Sequence, residues 1–155
     1  MKRLGLALLF SLICRMPVFA QAPAEEHTKP ALTLNTAKVI YVLPMKDRMD
    51  SYLTAELVKW RRYEVTINPQ QADAIFSDVP QIDIKALLAD PSKFNHPSKS
   101  PRGMAFMIDP RSEKVIWSTS KNLSTSYLIH TDYKSAKDLA HEIIKQLKED
   151  ASKQK

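Results

Sequence analysis

Four histidines, a serine-rich stretch and three spaced aspartates are the residues that could do chemistry in this sequence. The histidines are His27, His96, His130 and His141. No two of them stand at the i, i+4 spacing that puts a metal-ligating pair on one helix face, so the sequence implies no metal centre and no cofactor. A serine hydrolase needs a serine, a histidine and a carboxylate brought together with donors for an oxyanion. Ser124, Ser126, His130 and Asp132 fall in one stretch, but no turn motif exposes either serine, and a local turn accounts for His130 and Asp132 equally well. Asp73, Asp78 and Asp83 could supply an acidic pair for glycoside chemistry, although turn and strand-end roles suffice for them.

Glycine content excludes several enzyme classes. The chain has two glycines, and Gly5 sits in an apolar leader, which leaves Gly103. A phosphate-cradling loop, a dinucleotide fingerprint and a nucleophile elbow each need two or more glycines, because backbone must turn tightly or approach a ligand closely. The remaining chemistry is cationic. Lys59-Trp60-Arg61-Arg62-Tyr63 interleaves bases with aromatics in a way that could grip a phosphate, an acidic glycan or single-stranded nucleic acid. Trp60 also lies on an apolar helical stripe, which favours a core role for the ring and a helix-ending role for the cations. Lys93, His96, Lys99 and Arg102 make the stretch 90–102 basic, and this loop is the expected partner surface.

The elements that must position these residues begin after a leader. Lys2 and Arg3 precede an apolar run over residues 4–13, and Val18-Phe19-Ala20 offers slim residues to a signal peptidase. Residues 1–20 are expected to be a secretory signal cleaved between Ala20 and Gln21. Cys14 is a poor lipid-attachment site, because Ile13 and Ser11 stand where a small residue and leucine are wanted. Cleavage removes Lys2, Arg3 and Arg15 but no acid, so the net charge falls from +6 to +3. That is too even a balance for a dedicated nucleic-acid binder. It also removes the one cysteine, so the processed chain has no disulfide or thiolate chemistry and no anchor in a membrane.

Residues 21–36 read as a flexible linker with Pro23 and Pro30. Residues 37–44 form a β-branched run stopped by Pro44, suited to a strand buried on both faces. Asp47 and Asp50 are spaced as a capping box for a helix with the stripe Met49, Leu53, Leu57 and Trp60, closed by Arg61 and Arg62. Strands are expected over 63–67 and 74–79, then a short helix or an irregular segment over 82–89. Residues 103–109 and 114–120 read as a β-hairpin. Residues 122–133 take no assignment. Ser135 and Asp138 form a second capping box, followed by the stripe Ala136, Leu139 or Ala140, Ile143 and Leu147. The tail 151–155 is expected to fray. The order strand, helix, strand, strand, hairpin, helix predicts one α+β domain over 37–150. Its expected form is a two-layer sandwich, with a mixed sheet and both main helices on one face.

The run Leu57-Val-Lys-Trp-Arg-Arg-Tyr-Glu-Val-Thr-Ile-Asn-Pro-Gln-Gln-Ala-Asp-Ala-Ile75 resembles a pattern in small exported bacterial proteins of unknown function. In them a helix ends near a tryptophan, a strand follows, and a proline turn leads to an Ala-Asp-Ala strand. Ile108-Asp109-Pro110 and Val115-Ile116-Trp117-Ser118 are similar to their Asp-Pro hairpin with a tryptophan on the return strand. More distantly, the layout resembles envelope domains of the curli-secretion lipoprotein, of penicillin-binding-protein activators and of the Tol propeller protein's amino-terminal region. The resemblance implies an interaction or assembly module and supplies no catalytic residue. The resembling proteins commonly carry a glycine beside the tryptophan where this chain has Arg61-Arg62. The leading expectation is therefore an exported non-enzymatic domain that binds an envelope protein or an acidic envelope component. Its rivals are a small envelope hydrolase using loop 124–132 or an acidic pair, and a binder of acidic polymer through the basic loop 90–102.

Overall fold

The structure, a computed structural model, describes residues 30–94, 103–121 and 135–154. The chain divides into the units Met1–Pro30 and Ala31–Lys155, and the elements among the described residues lie in the second. The expected signal segment, its Ala20–Gln21 cleavage site and residues 21–29 lie outside the described residues.

The fold is α+β. Strands β1 (Val39–Val42), β2 (Glu64–Thr66), β3 (Ala74–Ser77), β4 (Met104–Asp109) and β5 (Lys114–Ser120) form one sheet in the order β2-β1-β3-β4-β5. β1 runs parallel to β2 and β3, with Ile40 opposite Val65 and Ala74, while β3–β4 and β4–β5 are antiparallel. A mixed sheet follows from the chain order, since the β1–helix–β2 crossover makes parallel neighbours and the hairpin makes antiparallel ones.

Helices α1 (Met49–Trp60) and α3 (Ala136–Lys153) cover one face. Leu53 and Leu57 from α1 and Ala140, Ile143, Ile144 and Leu147 from α3 pack there on Ile40, Ala74, Phe76, Ala105 and Met107. The alternate strand residues Tyr41, Ile75, Phe106 and Ile108 face the other way, as the two-residue period of a strand requires. That second face is not bare. Residues 82–89 resolve as the short helix α2 (Ile84–Ala89), whose Ile84 and Leu87 cover it. Asp83 caps α2 by accepting from the Ala86 N–H at 2.9 Å. The two main helices thus share one face as expected, and α2 adds a partial third layer.

Local expectations fare unequally. The Ser135–Asp138 capping box forms, with the Ser135 hydroxyl accepting from the Asp138 N–H at 3.2 Å and the Ser135 N–H donating back to the carboxylate at 3.3 Å. The Asp47–Asp50 box does not. Met49 opens α1, the preceding residue is Arg48, and its side chain makes no cap bond. Pro44 stops β1 close to the helix, and the chain turns through left-handed Asp47 (φ 56°) and Arg48 (φ 61°), so Asp47 is not the capping position. The tail also departs from expectation. α3 continues through Lys153, and Ala151, four residues beyond Leu147 on the same stripe, is fully buried.

Arg61 ends α1 with φ 58° and ψ 16°, its N–H donating to the Leu57 carbonyl at 3.1 Å. This is the left-handed terminator that glycine normally supplies. An L side chain in that conformation costs about 1 kcal/mol. Exposed Arg61 is therefore a poor local choice, and Arg61→Gly is expected to stabilise the fold by about 0.5–1 kcal/mol in urea unfolding. A lowered midpoint would show instead that the Arg61 side chain contributes through contacts.

Candidate functional site

The expected partner surface is only partly among the described residues. Lys93 ends a single 3₁₀ turn, Pro91–Lys93, and its Nζ lies 2.8 Å from Asp90 Oδ2. The Lys93 ammonium, followed by the Ser92 hydroxyl, holds the Asp90 carboxyl below the ordinary range. The charge of Lys93 is thus met locally. His96, Lys99 and Arg102 lie outside the described residues, as do His27 and the Ser124, Ser126, His130 and Asp132 group. His141 is an exposed residue of α3 with Nδ1 3.3 Å from Glu56 Oε2 on α1.

The candidate carboxylates are occupied by backbone. Asp73 Oδ2 accepts from the Lys38 and Val39 N–H groups at 2.9 and 3.0 Å, and the Asp73 N–H donates to the Val39 carbonyl at 2.8 Å. Its other oxygen faces Arg111 at 3.7 Å. The Ala-Asp-Ala pattern therefore clamps the start of β3 to the start of β1. Asp83 is the α2 cap, and Asp109 closes the hairpin turn through the Arg111 N–H at 2.9 Å and the Ser112 hydroxyl at 2.7 Å. Asp78 is buried at the end of β3. Among the described residues no three His, Cys, Asp or Glu side chains are grouped so as to hold a metal.

The side chains that converge are at the end of α1. Trp60, expected in the core, is only half-buried. Its stripe carries Leu53 and Leu57 under the sheet, but the last turn of α1 lies beside β2, a three-residue edge strand too short to cover an indole. Tyr63 meets the ring edge-on, with centroids 5.3 Å apart and planes at 86°. The Arg62 guanidinium lies 5.7 Å from the centroids of both rings. Lys148, from α3, places its ammonium 5.6 Å from the Trp60 centroid.

Residues assigned to the linker complete this cluster. Leu34 is fully buried, its carbonyl accepts from the Tyr63 hydroxyl at 2.9 Å, and Ala37 is buried beside it. Burial pushes the Tyr63 phenol above its ordinary value, with Arg62 pulling weakly the other way. Asn35 Oδ1 accepts from Arg62, and Asn35 Nδ2 donates to the Gln154 carbonyl at 2.8 Å. Residues 33–36 are thus a structured turn joining the ends of α1 and α3, a correction to the linker boundary. Sequence reasoning missed three members, Leu34 among them because it fell in the stretch read as a linker. Asn35 carried no periodic signal, and Lys148 is detectable only as the residue beside buried Leu147.

The chain matches no protein-family model, no curated protein and no solved structure. No helix among the described residues is long and apolar enough to cross a membrane.

Proposed function

We propose that this chain is an exported, non-enzymatic α+β domain that serves as an interaction or assembly module of the bacterial cell envelope. The observation that carries this reading is the contrast between its acids and its bases. Asp73, Asp83 and Asp109 are tied to backbone donors and turns, whereas Arg62 and Lys148 gather around a half-buried aromatic at the surface. Backbone-capping carboxylates build a scaffold, and a fixed cationic cluster on that scaffold suits recognition. The leader, the cysteine-free processed chain and the resemblance to exported envelope proteins support the export part of the reading.

Mass spectrometry of the protein recovered from the envelope fraction of a bacterial host should show an amino terminus at Gln21. Cross-linking in intact cells should join it reproducibly to one envelope protein or polymer. Retention of the uncleaved chain in the cytoplasm would overturn export. A measured hydrolysis lost in Ser126→Ala or His130→Ala with the fold intact would overturn the non-enzymatic part.

A further inference from the structure

We infer that the Trp60, Arg62 and Lys148 cluster is a docking point for a carboxylate-rich segment of a protein partner. This rests on the reading of the domain as an interaction module and names the chemistry of that interaction.

Three observations select the cluster and its ligand. Some described bases are met by acids, as in Lys93–Asp90, Lys153–Asp150, Arg111–Asp73 and His141–Glu56, and Arg62 and Lys148 are the two described cations that converge on one aromatic ring from different segments. Among the described residues neither Arg62 nor Lys148 makes an ion pair; their neighbours are the rings of Trp60 and Tyr63 and, for Arg62, the Asn35 amide oxygen. Their charges are therefore available to an outside anion.

The second observation is preorganisation. A guanidinium held near two rings and bonded to Asn35 has lost most of its rotamer freedom before any ligand arrives, so less is lost on binding. Asn35 uses part of the fork, and the donors left over suit the planar pair of oxygens of a carboxylate. Lys148, on the other helix, offers a second and separate positive charge. One fork plus one ammonium fits a segment with two acidic side chains a few residues apart.

The third observation separates a carboxylate from a phosphate. Phosphate sites commonly lean on converging backbone N–H groups, often at a helix N-terminus. Here α1 arrives by its carboxyl end, and the Arg61 N–H is already given to the Leu57 carbonyl. The helix end therefore offers no N–H cradle of the kind a phosphate site uses, and recognition falls to the Arg62 and Lys148 side chains, which a carboxylate must reach from the solvent side.

The test titrates the chain, purified from the envelope fraction, with octaglutamate by calorimetry at low salt. Inorganic tripolyphosphate and a neutral peptide of equal length are the comparison probes. The wild type is expected to bind octaglutamate saturably, with affinity falling as salt rises. Arg62→Gln/Lys148→Gln should weaken it about tenfold or more, and Arg62→Lys should weaken it several-fold despite the retained charge, whereas Lys93→Gln should leave it unchanged. Circular dichroism confirms the fold of each variant, and Lys148→Gln alone serves if the double variant unfolds. Equal affinity in the folded variants, absence of saturable binding, or tighter binding of tripolyphosphate than of octaglutamate would overturn the inference. If the double variant keeps the wild-type cross-linked partner, the docking point is wrong and the module reading stands. If octaglutamate binds as expected but no envelope partner is ever cross-linked, the module reading fails and the anion site stands.

Discussion

Trp117→Ala is expected to cost the fold about 3–5 kcal/mol, whereas Trp60→Ala is expected to cost about 1–2. The two tryptophans look alike in sequence, each set in an apolar pattern. Trp117 is 7% exposed, packs on Phe76 with centroids 6.0 Å apart, and sends its Nε1–H to Asp150 Oδ2 at 3.1 Å. It therefore ties the outer strand β5 to the end of α3 as well as filling the core. Trp60 has a partly solvated ring, and removing it leaves less of a cavity. Urea unfolding of both variants separates the cases, and equal costs would show that Trp60 belongs to the core after all. The hydrogen bond adds a pH signature. The Trp117 N–H, then Gln146 and Lys153, hold the Asp150 carboxyl below its ordinary value. A depressed acid stabilises the folded chain above the unfolded carboxylate range, near pH 4, and that contribution is lost as pH falls through the lowered folded value. Trp117→Phe keeps most of the buried area and deletes the donor. It should cost about 1 kcal/mol at neutral pH and make the acid-side fall in stability shallower than in the wild type.

What the sequence made legible is what local chemistry decides. The hairpin strand Lys114–Ser120 has the residues its alternation marks out, and the Ser135–Asp138 box forms because its two partners lie within one turn of each other. The first strand was readable as doubly buried because its apolar run over 37–44 is unbroken, and Ile40 and Tyr41 do face opposite cores. What stayed hidden depends on distant partners. Asp47 is spaced as a helix cap, but the sharp exit from Pro44 places two left-handed residues before Met49. Ala151 reads as a polar tail until the sheet beneath α3 is known to reach it. The site was half visible. Lys59-Trp60-Arg61-Arg62-Tyr63 stood out as basic and aromatic, and the helical stripe argued for burying Trp60. Burial there depends on the length of the neighbouring edge strand, which pairs only with β1 and stops after three residues. The second cation lies 86 residues further along, on α3, and only the packing of α3 beside α1 brings it to the ring.

Leu34→Ala should cost about 2–4 kcal/mol, although composition alone places Leu34 in a linker where substitutions usually stay within about 0.5. The side chain is fully buried in the core shared by α1 and α3. Its backbone is held as well, since the Leu34 carbonyl accepts from the Tyr63 hydroxyl and the turn around it is knitted by the Thr33 N–H donating to the Thr36 hydroxyl at 2.9 Å. Truncation leaves a cavity that this turn cannot collapse to fill without surrendering the Tyr63 bond. The effect should reach the cationic cluster, because Asn35 is the next residue and is the group that fixes Arg62. A loosened turn frees the guanidinium, so octaglutamate affinity should fall in Leu34→Ala even though the substituted side chain is buried and touches no ligand. Thr33→Ala is the milder comparison, weakening the turn while leaving the core filled, and it should cost less than about 1.5 kcal/mol. Urea unfolding at neutral pH reads both. A Leu34→Ala cost below about 0.5 kcal/mol would return residues 31–36 to the linker and leave Arg62 held by its two rings alone.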